Sequence, residues 1–281
     1  MDKIIKNKSF GEERALYGLT DTTVSECVFA GDEDGESALK ECRRINISSC
    51  DFRLRYPIWH AEDFKVESSV FGDTSRAPLW YCKNGSLRES KIYSVKFLRQ
   101  CEGIEFEDCE IHSDELGWKC KDIKIKSSEI EGFYLFFDSE DVILDSVNMK
   151  GKYSFQYMKN LTIKNSILDT KDAFWHSENV RVENCTVKGE YLGWFSKNLT
   201  LVNCKISGTQ PLCYCENLTL IDCEMEGCDL SFEYSSVNAT VKGHIDSVKN
   251  IKSGRLSADS IGKIIREDSV MECSCEIICK N

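Results

Sequence analysis

The chain has 281 residues, with 36 Lys plus Arg against 47 Asp plus Glu, a formal charge of −11. So acidic a balance argues against nucleic acid and against anionic membranes, both of which need basic patches. An apolar fraction of 41% supports a real core, three prolines exclude a Pro-rich architecture, and no apolar run approaches the ~20 residues of a membrane helix.

The opening segment, residues 1–20, is too charged for a signal peptide. It contains Phe10-Gly11-Glu12-Glu13-Arg14-Ala15-Leu16 outside any repeat and is expected to cap the first coil. From Asp21 a repeat takes over. Asn160-Leu161-Thr162-Ile163 returns 19 residues later as Asn179-Val180-Arg181-Val182, then as Asn198-Leu199-Thr200-Leu201 and Asn217-Leu218-Thr219-Leu220. The frame extends back through Asp141, Asp122, Gly103 and Asn84. The step from Asp63 to Asn84 is 21, and that from Asp21 to Arg44 is 23. A period near 20 with short strands reads as a solenoid.

Counting from the Asn as position 1, aliphatic residues stand at 2 and 4, and inward-looking ones at 7 and 9, each pair at strand spacing. The change of parity between 4 and 7 marks a corner. Gly at position 11 (Gly132, Gly151, Gly189, Gly208, Gly227) marks another. An apolar stretch at 14 to 18 supplies a third strand. The predicted fold is a single-domain, all-β, right-handed parallel β-helix of about 12 coils over 21–254, with 255–281 as a C-terminal cap or tail. Leucine-rich repeats lack their frame here, and 19 is not a multiple of the six that a hexapeptide helix needs.

Equal positions stack in such a fold. Asn160, Asn179, Asn198 and Asn217 are expected to form an amide ladder, which explains three apparent glycosylation motifs better than glycosylation does. Eleven of the 16 cysteines fall in two rows, positions 7 and 18, where other coils carry Ser, Ala, Val or Met. This reads as small residues packed inside a reduced, cytoplasmic protein rather than as disulfides. Cys273, Cys275 and Cys279 lie outside the rows and are weak metal candidates, for want of a second pair at zinc spacing. No cofactor motif is present.

By these features the chain resembles an uncharacterised family of bacterial β-helix proteins. The resemblance rests on Phe10–Leu16, on Asp172-Ala173-Phe174-Trp175-His176-Ser177, on Tyr191-Leu192-Gly193-Trp194 and on Val241-Lys242-Gly243-His244-Ile245-Asp246-Ser247. It covers nearly the whole chain and implies the pectin-lyase-like fold. It implies no reaction and transfers no catalytic residue.

All five tryptophans, Trp59, Trp80, Trp118, Trp175 and Trp194, fall at position 16, with Phe137, Phe232, Arg99, Gln156 and Cys213 in the same row. Exposed, the row is a binding face for sugar rings or an extended peptide, and Arg99 and Gln156 favour exposure. Buried, it is packing, since position 16 shares the parity of inward-looking position 18. At position 17, Lys119 and Asp138 in adjacent coils, with His176 further on, are weak acid/base candidates. Asp138 and Glu233 stand five coils apart, too far for one glycosidic bond. The expected function is a non-catalytic binder or scaffold for carbohydrate or extended polypeptide. The alternatives are a polysaccharide lyase or hydrolase, and a metal-linked role for the C-terminal cysteines. Oligomeric state is not legible.

Overall fold

The computed structural model describes residues 3–32 and 35–280. They form a parallel β-helix of about 14 turns with a period near 19, slightly more than the sequence frame counts. The chain divides into two compact units, Met1–Ile143 and Leu144–Asn281.

In the first unit the stack begins before Asp21. Lys3–Lys6 lies parallel to Thr20–Ser25, with Ile5 beside Val24, and Ser9–Phe10 lies beside Val28–Phe29. The segment read as standing outside the repeat thus follows the same 19-residue register. Long strands continue at Arg43–Ser48, Glu62–Glu67, Lys83–Arg88 and Glu102–Glu107, all in register. Positions 2 and 4 are buried in each, for example Ile104 and Phe106. Position 9 carries a file of rings, Phe10, Phe29, Phe52 and Phe71, stacked at 5.3, 4.8 and 4.7 Å.

The expected third strand forms in three coils only, at Ile58–Trp59, Leu79–Trp80 and Leu98–Arg99. From Gly117 onward, position 15 is left-handed instead: Gly117 at φ 75°, Phe136 at 57°, Phe174 at 63°, Gly193 at 77°. That backbone bends the strand into a tight corner. The interior there is filled either by a position-14 leucine beside glycine (Leu116-Gly117) or by a position-15 ring beside alanine (Ala173-Phe174). A Cβ on Gly117 would sit 2.5 Å from the Phe136 ring, so glycine there makes room for the ring of the next coil.

In the second unit the strands Lys159–Lys164, Glu178–Glu183 and Lys197–Val202 stack with Leu161, Val180 and Leu199 in one file. Beyond Tyr234 the coils change length. Val237 pairs with Gly254, and Leu256 with Ile277. Stacking therefore continues through residues where the sequence frame decays.

Left-handed residues punctuate the coils from Arg44 to Tyr214 at positions 1, 6, 13 and 17, among them Asn160, Asn165, Tyr153 and Tyr157. Asn and Asp tolerate this backbone best, which accounts for their hold on positions 1 and 6. The expected amide ladder is present: Asn179 Nδ2 donates to Asn160 Oδ1 at 3.1 Å, Asn198 to Asn179 at 2.9 Å, and Asn217 to Asn198 at 2.8 Å. A second one, not anticipated, joins Asn165, Asn184 and Asn203.

The Ser/Cys rows are not merely small packing. After a left-handed corner the next N–H points along the stack and needs a partner there. Cys109 N–H donates to Ser128 Oγ (3.0 Å), and Ser128 Oγ donates to Lys126 O (2.7 Å). Cys82 N–H donates to Cys101 Sγ (3.3 Å), and Cys101 N–H to Cys120 Sγ (3.5 Å). Hydroxyl and thiol are interchangeable because both donate and accept. Burial pushes the Cys42, Cys50 and Cys215 thiols up to about 11, and Cys213 and Cys228 to about 12, so they stay protonated donors.

Ser128→Ala orphans the buried Cys109 N–H and is expected to lower unfolding stability by about 1–3 kcal/mol, whereas Ser128→Cys costs under ~1 kcal/mol; urea titration distinguishes them. Fourteen cysteines are buried, Cys273 is partly exposed and Cys279 exposed. A thiol reagent should therefore label one or two sites on the native protein within minutes, and all 16 in denaturant without added reductant.

Candidate functional site

The corner formed by positions 13 to 17 gathers the aromatic residues. Each indole of row 16 is half-buried and donates its N–H to the position-13 carbonyl of the following coil. Trp59 reaches Ala77 O (2.7 Å), Trp80 reaches Lys96 O (2.8 Å) and Trp118 reaches Tyr134 O (2.6 Å). In the second unit Trp175 reaches Tyr191 O (2.7 Å) and Trp194 reaches Gln210 O (2.9 Å). Gln156 does the same through Nε2 to Asp172 O (3.4 Å), and Cys213 through Sγ to Leu230 O (3.6 Å). Trp, Gln and Cys share donor capacity at this position, whereas Phe137 fills it beside Trp118 as a ring alone, 5.0 Å away.

The indole faces are used up within the row. Trp59 and Trp80 stack at 5.4 Å, Trp175 and Trp194 at 5.5 Å, both 5° from parallel. The Arg99 guanidinium lies 4.7 Å from the Trp80 ring and 4.8 Å from the Trp118 ring, and pairs with Glu115 at 2.8 Å. Trp59, Trp80, Trp118, Trp175 and Trp194 thus each have a ring or guanidinium neighbour within the stack.

A second aromatic file, not singled out from the sequence, stands at position 17. Tyr157, His176, Phe195 and Tyr214 stack in four successive coils, at 5.1, 5.0 and 4.8 Å and within 15° of parallel. Tyr157 is 47% and Phe195 43% exposed. All four have left-handed backbones. In the first unit the same position holds a stacked His60–Tyr81 pair at 4.8 Å, then Gln100, Lys119 and Asp138.

His176 is therefore held between two rings, with no hydrogen bond to Asp172. Lys119 and Asp138 are exposed at successive corners of the first unit, where Lys119 N donates to Phe137 O, and no ion pair joins them. Asp172 is the more unusual acid. It is buried at position 13, and burial raises its pKa despite Lys171 and Lys152 nearby. Lys171 pairs with Glu190 and lies over the Tyr191 ring. Cys273 Sγ bonds to Asn250 O and Cys275 is buried, and among the described residues no three potential ligands gather around a metal position.

Beside the ring file, at position 19, charge alternates strictly: Arg43, Glu62, Lys83, Glu102, Lys121 and Glu140 in the first unit, Lys159, Glu178, Lys197 and Glu216 in the second. Stacked neighbours pair, Lys121 with Glu140 at 2.9 Å and Lys197 with Glu216 at 3.4 Å. The signal was available in the sequence as the sign of the residue before each position 1.

Residues 3–278 match the family described as "Protein of unknown function (DUF3737)". The chain belongs to that family. No curated protein matches this DUF3737 chain in sequence. Among solved structures it is similar to PfbA, a surface adhesin of Streptococcus pneumoniae, at TM-score 0.52 and 8% identity, covering 96% of this chain and 89% of that one. It is also similar to the A-module of the Azotobacter vinelandii mannuronan C-5 epimerase AlgE4 (TM-score 0.32, 11% identity, 98% and 89% covered). A third is a mannuronic acid specific polysaccharide family 6 lyase from human gut microbiota (TM-score 0.35, 9% identity, 99% and 87% covered). The fold of this chain has structural neighbours in the pectin-lyase-like β-helix superfold.

Trp118→Phe keeps the ring but removes the indole donor to the Tyr134 carbonyl. It is expected to lower stability by about 0.5–1.5 kcal/mol without altering the far-ultraviolet circular dichroism.

Proposed function

We propose that this protein is a non-catalytic β-helix that binds or scaffolds through its aromatic face, with carbohydrate or an extended polypeptide as ligand. The observation that carries this reading is the stacked file Tyr157–His176–Phe195–Tyr214. A bulky side chain at a left-handed position costs roughly 1–2 kcal/mol. Gln100, Lys119 and Asp138 occupy the equivalent corner, so the corner itself does not require rings. Four large rings kept there with their edges in water suit contact with a partner better than internal packing. A net charge of −11 favours neutral or cationic ligands over polyanions. That the fold also serves a surface adhesin supports a binding role.

The alternative, a carbohydrate lyase or hydrolase near Lys119, Asp138 and His176, has weaker support, because Lys119 and Asp138 do not pair and His176 is clamped by rings. Asp172, with its raised pKa and two lysines, is the better acid for that reading. We also propose a reducing, cytoplasmic setting. The stacked thiols serve as hydrogen-bond donors, a role that oxidation to disulfides would abolish.

A saccharide and peptide panel tests the reading. Saturable binding without turnover is expected, with Phe195→Ala weakening it at least ~10-fold, about 1.4 kcal/mol, while thermal stability changes little. Turnover lost in Asp138→Asn or Asp172→Asn with binding retained would transfer the conclusion to the enzyme.

A further inference from the structure

Two outward stripes run side by side along four successive coils of the second unit. Position 17 gives Tyr157, His176, Phe195 and Tyr214, and position 19 gives Lys159, Glu178, Lys197 and Glu216. Position 18 between them (Met158, Ser177, Ser196, Cys215) is buried. The first stripe is made of rings. The second sums to zero charge on a chain of −11. An apolar seam flanked by charges of alternating sign is the arrangement by which coiled coils choose partners.

The spacing restricts the partner. The rings repeat every 4.8–5.1 Å. An extended peptide laid along the axis repeats every ~3.3 Å, or ~6.6 Å on one side, and loses phase within two coils. A second stack of parallel strands has the required ~4.8 Å period by construction.

The charges restrict the orientation. Two copies side by side, parallel and in step, would set Lys159 against Lys159 and Glu178 against Glu178. A parallel shift by one coil matches signs but leaves one coil unmatched and a contact that does not close. Antiparallel, about a two-fold axis between the His176 and Phe195 coils, Lys159 meets Glu216 and Glu178 meets Lys197, each twice. Tyr157 then faces Tyr214, and His176 faces Phe195.

We infer that this stripe is a self-complementary surface through which two copies of the chain pair antiparallel, ring file against ring file. The inference rests on the reading of the file as a binding face and takes a second copy of the chain, in place of a carbohydrate or extended polypeptide, as its partner. The patch is short and partly polar, so the dimer is weak, with dissociation in the micromolar range.

Sedimentation equilibrium on the intact protein tests it. A reversible monomer–dimer equilibrium is expected. Glu178→Lys with Glu216→Lys makes the stripe wholly cationic, and Lys159→Glu with Lys197→Glu makes it wholly anionic. Each double variant should dimerise at least ~10-fold more weakly than the parent, and an equimolar mixture of the two should recover a heterodimer. Phe195→Ser, which leaves the charged ladder intact, should weaken dimerisation to a similar degree and carries the test where circular dichroism shows a charge variant misfolded. A parent that stays monomeric, or a dimer indifferent to all these changes, overturns the inference. A monomeric parent whose saccharide or peptide binding disappears in Phe195→Ser overturns the dimer and leaves the binding face standing. A protein that neither dimerises nor binds a ligand removes both.

Discussion

The structure depends on the vertical hydrogen bond between equal positions of successive coils. Left-handed residues at four corners of the regular coils turn peptide groups toward the neighbouring coil. Some of those groups bond to its backbone, as Asn165 N–H does to Glu183 O, and others to its side chains, the N–H after position 6 to a Ser hydroxyl or Cys thiol and the position-13 carbonyl to a Trp indole. Side-chain donors and acceptors at the corners are thus as necessary to the fold as the aliphatic rows at positions 2 and 4. Without them each turn would leave buried polar groups unpaired, at about 1–3 kcal/mol apiece.

That requirement explains a composition which hydrophobicity alone does not. The cysteines of the two rows serve as hydrogen-bonding groups small enough for the interior of a narrow coil. Five tryptophans in one row are corner fasteners whose faces are spent on each other and on Arg99. The ring file at position 17 stands beside them with Tyr157 and Phe195 exposed.

Much of this was legible in the sequence. The 19-residue frame placed Leu161, Val180 and Leu199 in one file, and the same period placed Asn160 above Asn179 and the cysteines in rows. Other features were hidden for physical reasons. The third strand depends on whether position 15 goes left-handed, and Leu98 and Leu212 look alike in sequence though only Leu212 does. The role of Trp at position 16 is hidden while it is treated as an apolar residue, because the decisive atom is Nε1. Residues 3–10 and those after Tyr234 escaped the frame because they keep the stack while abandoning its side-chain pattern. The sign alternation at position 19 was visible, yet it acquires meaning only once those residues are known to point outward.

The same vertical bonding sets how such a protein can change in length. A single residue inserted into a long strand would move every later side chain of that coil off its file, breaking the amide, thiol and indole contacts together. A whole coil inserted or lost leaves every file intact, with one rung more or fewer. The departures from 19 in the first coils are consistent with this. The extra residues there lie in connecting segments, around Gly31–Asp32 and in the turn at Asp73–Ser75, while the strands on either side stay in register. Size in this architecture is therefore expected to vary among relatives in steps of one coil, with finer variation confined to those bulging connections.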